Sequence, residues 1–159
     1  KKKKRYKSIS AEAYTKHGLN CHGIIFDELH TQPDRSLWNV LSTSVGARRQ
    51  PVILSLTTAG HDRSSICYEM HEYSEAIIKG TIVDETFLPV LYKADADDEW
   101  TNPETWKKAN PGYGSICNEA YFEDAVKKAK SNPSMINSFL RLHLNVWTSA
   151  ETAWIPDDI

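Results

Sequence analysis

What this sequence has little of narrows its class before any motif is read. Its 159 residues carry three cysteines, Cys21, Cys67 and Cys117, an odd number at scattered spacing. No C-x-x-C pair occurs, so neither a zinc site nor a disulfide framework is indicated, and a reducing cytoplasm is expected. No apolar run approaches the roughly twenty residues of a membrane-spanning helix. The basic start is not followed by an apolar stretch and does not read as a secretory signal. None of the seven glycines precedes a lysine, which removes the phosphate-cradling loop G-x-x-x-x-G-K-[ST]. The chain does not open on Met and is expected to be a piece of something longer.

What is present suits one globular domain, or most of one. Apolar residues make up 40% of the chain, and five Trp with seven Tyr argue against disorder. The formal charge of −2 is uneven: residues 1–7 hold six of the 19 basic groups, which leaves 13 against 21 acids, a body of −8. A basic tip on an acidic body is read as a solvated end, with contact to nucleic acid as the other use.

One stretch organises the rest: His22-Gly23-Ile24-Ile25-Phe26-Asp27-Glu28-Leu29-His30. Its apolar run predicts a strand buried on both faces of a parallel sheet. Asp27 and Glu28 then fall at the strand's carboxyl end, where open α/β sheets place ligands. Two adjacent carboxylates repel each other, and a bound cation relieves that repulsion. This is the physics of a Walker B strand, whose first acid holds Mg²⁺ while the second orients or deprotonates the attacking water.

Around it the pattern runs strand, helix, strand, helix, strand. Tyr6–Ser10 alternates weakly and is a possible short strand. Asp34 is expected to cap a helix with Leu37, Trp38, Val40, Leu41 and Val45 on one face, stopped by Gly46. Pro51–Leu56 predicts a second buried strand ending in Thr57-Thr58-Ala59-Gly60. Asp62 is expected to cap a helix to Lys79, ended by Gly80. Phe87–Tyr92 predicts a third strand, at or near an edge because of Pro89. Asp95, Asp97, Asp98 and Glu99 lack the glycine and closing Glu of an EF-hand and read as a solvated loop. Thr101-Asn102-Pro103-Glu104 looks like a capping box, Asn118 caps a helix Glu119–Lys130, and Pro133 opens another carrying Met135, Phe139, Leu142 and Val146. Trp147 to Ile159 reads as irregular. The fold class is therefore α/β, a parallel sheet of P-loop NTPase type that is incomplete, lacking the Walker A strand and loop, followed by a small helical subdomain. Residues 1–93 form the partial NTPase core and 94–159 the helical subdomain and a linker.

If the first two strands are neighbours, Thr57 and Thr58 stand beside Asp27 and Glu28, where hydroxyls can bind water or the γ-phosphate; by themselves they read as a turn cap. Arg48, Arg49 and Arg63 sit on loops and can reach a phosphate in their own subunit or a neighbour's, with solvation the default. His22 and His30 flank the strand at opposite ends, too far apart to share a metal. Cys21-His22 adjacency says little about a dyad. The chain thus has the metal-and-water half of an NTPase site, and the phosphate cradle is expected upstream.

These stretches together resemble the large terminase subunit of tailed bacteriophages, the motor that packages DNA into procapsids. The resemblance runs from about Ser8 to the end. It includes Gly18-Leu19-Asn20, Phe26-Asp27-Glu28-Leu29-His30, Leu37-Trp38, Gly46-Ala47-Arg48-Arg49-Gln50-Pro51 and Thr57-Thr58-Ala59-Gly60. Later come Trp106-Lys107-Lys108-Ala109-Asn110-Pro111, Leu144-Asn145-Val146-Trp147 and Trp154-Ile155-Pro156. The resemblance implies that Asp27 acts on Mg²⁺, mostly through water, and that Glu28 is the catalytic glutamate. Thr57, Thr58 and Ala59 would form the motif coupling hydrolysis to DNA movement, with Asp27 and Thr58 at the bound ATP. A neighbour's arginine completes each site in such proteins, and Arg48 and Arg63 are the candidates here. It further implies double-stranded DNA gripped by its phosphates, a portal protein and a small terminase subunit as partners, and a ring, usually a pentamer. The setting would be the host cytoplasm. The family's nuclease domain is expected beyond this chain. Two other readings stay open: a DExH-type helicase, which Asp27-Glu28-Leu29-His30 fits literally, though the later helicase arginine motifs are missing, and a non-catalytic assembly or binding module.

Overall fold

In the computed structural model, residues 5–10, 12 and 17–149 are described. Two strands, β1 (Gly23–Asp27) and β2 (Val52–Leu56), pair in parallel, with Gly23 opposite Val52 and Asp27 opposite Leu56. Parallel neighbours require a crossover. Here it is a 3-10 turn, Leu29–Thr31, followed by α1 (Ser36–Thr43). The chain then runs through α2 (Ile66–Ile78), α3 (Pro103–Ala109), α4 (Glu119–Ser131) and α5 (Ile136–Leu144).

The strand pleat decides what is buried. Ile24 and Phe26 share one face of β1 and pack against Leu37 and Leu41 of α1 and Ile66 and Cys67 of α2. Trp38 lies over the Phe26 ring at 5.0 Å between centroids. Ile25 points the other way and is 58% exposed, and Val52, Leu54 and Leu56 share its face and are exposed too. Burial of both strands on both faces, as the sequence predicts, is therefore corrected. The described helices cover one side of the sheet, and the other presents apolar side chains to solvent.

Two further predicted strands are also corrected. Residues 5–10 are coil. Phe87–Tyr92 pairs with no strand among the described residues; it runs as irregular chain with Leu88, Val90 and Tyr92 exposed. It is tied to α2 instead, by a Tyr73–Phe87 ring contact at 5.1 Å and a Lys93–Glu75 ion pair at 3.0 Å. Alternating apolar residues become a strand only where a neighbour takes up the backbone hydrogen bonds.

The helix starts differ locally from expectation. Asp34 accepts from Ser36 N at 2.7 Å, with Arg35 standing between it and the first helical residue. α1 ends at Thr43, ahead of Gly46, and Val45 packs on the core from beyond the helix. Asp62 folds back on Ser64, and Ser65 caps α2 by accepting from Tyr68 N. Gly80, at φ +73°, ends that helix as expected. Asn102, not Thr101, caps α3, and Asn118 caps α4.

α3, α4 and α5 enclose a second core of Trp106, Ala109, Phe122, Val126, Ala129, Phe139 and Leu144. The acidic loop is accounted for by Lys108, whose Nζ reaches Asp95 and Asp98 at 2.6 Å each. Asn110 donates from Nδ2 to His143 O at 2.7 Å, tying α3 to α5. Asn145, in the left-handed region at φ 54°, ends α5 and donates to Tyr92 O at 2.8 Å. The chain then delivers Trp147 to the first core. No helix among the described residues is long and apolar enough to cross a membrane. Lys1–Lys4 of the basic tip and the Trp154-Ile155-Pro156 segment lie outside the described residues.

Candidate active site

The carboxyl ends of β1 and β2 form the site, and the backbone at Glu28 shapes it. Glu28 sits in the left-handed region at φ 53°, ψ 54°, uncommon for a residue with a side chain. Such a conformation costs on the order of 1–3 kcal/mol and persists only when the surroundings hold it. Thr31 does so, donating to Glu28 O from its backbone N at 2.9 Å and from Oγ1 at 2.8 Å. Leu29, fully buried, pins the same turn to the core. The kink leaves Asp27 and Glu28 exposed at the strand tip.

The adjacency of β1 and β2 brings Thr57 and Thr58 to this tip, and one side chain joins the two strands. His30 donates from its backbone N to Thr57 Oγ1 at 3.0 Å, and its Nδ1 lies 3.0 Å from the same oxygen. Nδ1 is also 3.2 Å from Glu28 Oε2 and 3.5 Å from Thr58 Oγ1. Glu28 is an electrostatic neighbour of Nδ1 and not its hydrogen-bond acceptor; a carboxylate at that distance favours the tautomer with the proton on Nδ1, donated to Thr57. Thr57 meanwhile donates to Thr58 O at 2.9 Å. Its two lone pairs are left for His30, so the proton assignment is self-consistent. In the sequence His30 stands just beyond the strand with no role of its own. The signal was its position two residues after Glu28 on a tight turn.

The electrostatics of the tip involve the second core. Burial holds His30 below the ordinary histidine pKa; Glu28 opposes that shift, while Arg141 and His61 add to it. Arg141 projects from α5, is 6% exposed, and places Nη1 3.4 Å from His61 Nδ1. Its Nε has no partner among the described residues. Nothing in the sequence pointed to Arg141, because it stands 80 residues from its partner. Cys67 approaches Thr57 Oγ1 at 3.6 Å, and burial raises its pKa, keeping it a neutral thiol.

The two candidate arginines lie at opposite ends of the sheet. Arg48, ahead of β2, donates to Asn20 O at 2.7 Å at the amino end of the strands. Five residues of strand separate that end from the carboxylates, about 16 Å. The structure therefore does not bring Arg48 to the site of its own chain. Arg63 is on the carboxyl side, with its guanidinium 5.6 Å from the Tyr68 ring centroid. As to metal, no group of three or more His, Cys, Asp or Glu side chains is gathered among the described residues. One exposed aspartate at a strand tip suits Mg²⁺ that keeps most of its waters and takes its other ligands from phosphate.

The family model of the terminase large subunit ATPase domain matches residues 3–76, and that of the terminase large subunit endonuclease domain matches residues 81–158. The two models meet between residues 76 and 81 and the endonuclease model lies on this chain, whereas the sequence places the division at 93/94 and the nuclease domain beyond the chain. Protein YmfN of Escherichia coli K12 is 31% identical over 137 residues, 86% of this chain and 30% of its own length. The terminase large subunit of Enterobacteria phage HK97 is 27% identical over 156 residues, 97% of this chain and 30% of its own. The crystal structure of the HK97 large terminase superimposes with a TM-score of 0.77 at 26% identity, covering 89% of this chain and 29% of that one. The chain thus spans about 30% of the length of the curated relatives it matches. Of the two ATPase readings, helicase and packaging motor, these matches favour the second. Two models of a single protein cover the chain in order, and the fold is shared over most of its length: the chain belongs to the terminase large subunits.

Proposed function

We propose that this chain is part of the ATP-hydrolysing motor of a DNA-packaging terminase, coupling hydrolysis to translocation of double-stranded DNA into a procapsid. The observation that carries it is the meeting of Asp27-Glu28 and Thr57-Thr58 at one end of a parallel strand pair, joined through His30. Asp27 would hold Mg²⁺, which when bound neutralises phosphate charge. Glu28 takes the proton of the attacking water, Thr58 meets the nucleotide, and Thr57 with Ala59 passes the change to the rest of the protein. Arg63 stands at the nucleotide end of its own subunit, and Arg48 would serve only a neighbour's site in a ring.

The phosphate cradle is proposed to come from elsewhere in the intact terminase, which makes residues 1–159 alone inactive. The open apolar face of Ile25, Leu54 and Leu56 supports this, because it suits a further packed layer, as does Phe87–Tyr92, unpaired among the described residues, because it suits a further strand. Residues 94–159 are proposed to serve the ATPase half as a helical subdomain and a linker, supported by the Arg141 and Trp147 contacts at the strand tips. Duplex DNA held by its phosphates, a portal protein, a small terminase subunit, a pentameric ring and the host cytoplasm are the setting proposed for the whole protein.

In the intact terminase, Glu28→Gln is expected to cut ATP turnover by about 10²–10⁴-fold, the worth of a general base, while nucleotide binding survives. Turnover near wild type in that variant would refute the reading.

A further inference from the structure

We propose that His30 is a positioning residue of the ATPase reaction: its imidazole hydrogen-bonds the Thr57 hydroxyl through Nδ1 while standing 3.2 Å from the Glu28 carboxylate, and so fixes the base relative to the coupling motif. The inference rests on the motor reading above. Four contacts converge on this one residue. Its backbone N and its Nδ1 both reach Thr57 Oγ1 at 3.0 Å, Nδ1 lies 3.2 Å from Glu28 Oε2, and Thr58 Oγ1 lies 3.5 Å away. The Glu28 side chain is otherwise 55% exposed, whereas the His30 side chain is only 15% exposed, so the imidazole is the fixed partner of the two. Thr57 is in turn held against Cys67 of α2. A shift of the β2 tip is thereby felt at Glu28 through one ring, with no movement of β1 needed. The turn geometry reinforces the arrangement. The left-handed Glu28 directs the chain so that the residue two positions on returns beside its own carboxylate.

The test is ATPase kinetics on the intact terminase with His30→Ala, His30→Asn and His30→Gln. Asn places an amide N–H close to where Nδ1 stands, whereas Gln places one close to Nε2. His30→Ala is expected to lower kcat by about 10²-fold, the cost of a misplaced catalytic group, with KM for ATP within about twofold of wild type. His30→Asn is expected to recover most of that loss and His30→Gln little of it. Should His30→Ala fail to fold, the Asn-to-Gln comparison decides by itself. Wild-type kcat in His30→Ala, equal rates for Asn and Gln, or a loss confined to KM would each overturn the proposal. A second measurement pairs His30→Ala with Thr57→Val: a shared bridge makes the two losses non-additive, and additive losses contradict it. Glu28→Gln separates the His30 bridge from the motor activity. If that variant turns over normally, the motor reading fails; if it is dead while the His30 series is indifferent, only the bridge fails.

Discussion

A Cβ built on Gly60 would lie 3.0 Å from Trp147 Cζ3 and 3.2 Å from Cη2. The strand tip that carries Thr57-Thr58-Ala59 is thus closed over by an indole arriving from beyond α5. Trp147 meets Tyr68 edge-on, at 4.8 Å between ring centroids. Gly60→Ala is expected to push the indole away and cost about 1–3 kcal/mol, the usual penalty of overpacking. Thermal unfolding measures the loss. Trp147→Phe, which removes the outer atoms, is expected to restore part of it when combined with Gly60→Ala. Undiminished stability in Gly60→Ala alone would show that the contact yields at no cost.

Burial depresses the His30 pKa, and Arg141, a buried cation arriving from α5, adds to that depression. Removing that charge while keeping the volume, as in Arg141→Met, is therefore expected to raise the pH at which His30 titrates. Ring-proton NMR resolves the midpoint directly. A midpoint that stays put or falls would remove Arg141 from the electrostatics of the tip.

Glu75 is held by Lys79 and Lys93 and lowered by them from the usual 4.5 to about 2. A carboxyl depressed in the folded state stabilises the fold above its unfolded pKa, and that contribution is lost as pH falls through the folded value. Glu75→Gln is expected to lower stability at neutral pH by about 1 kcal/mol, a figure discounted because Lys79 is well exposed. Urea titrations should show the gap between wild type and Glu75→Gln narrowing from about pH 4.5 down towards about pH 2. A gap that widens on acidification would have the wrong sign for this cluster.

The open face of the sheet gives a test of its own. For residues 1–159 alone, Leu54→Lys with Val90→Thr is expected to reduce self-association, read by light scattering, because both positions expose apolar surface. In the intact terminase the same pair is expected to lower the unfolding midpoint, since a layer packed on the sheet face would then bury Leu54 and a neighbouring strand would take up the chain at Val90. Equal behaviour in the two settings would argue that nothing packs on this face.

Much of the site was legible in the chain because it depends on local chemistry. An apolar run ending in two acids places carboxylates at a strand mouth, and β1 does end at Asp27. Two strands joined by a helix must lie parallel, which brought Thr57 beside Glu28. Asn118 and Gly80 act at helix ends because capping and a positive φ are properties of single residues. The misses share a physical cause. Phe87–Tyr92 has the alternation of a strand, but pairing depends on a neighbour that no local pattern supplies. Ile25 and Leu54 read as buried because apolar residues commonly are, yet burial needs a covering layer. The Trp and Asn-Pro segments served only as family signatures. In the fold, Asn110 and Asn145 tie α3, α5 and the chain at Tyr92 together, and Trp147 closes on Gly60.

The sequence by itself determined that this chain carries paired carboxylates on one strand, hydroxyls on the next, and no loop able to cradle phosphate. Those are matters of residue type and short-range order. Tertiary structure decided which groups touch. His30 spans Glu28 and Thr57, Arg141 arrives from a helix 80 residues away in sequence, and Arg48 falls at the far end of the sheet. Such contacts arise from strand register and helix packing, which bring together residues whose separation along the chain carries no trace of their meeting.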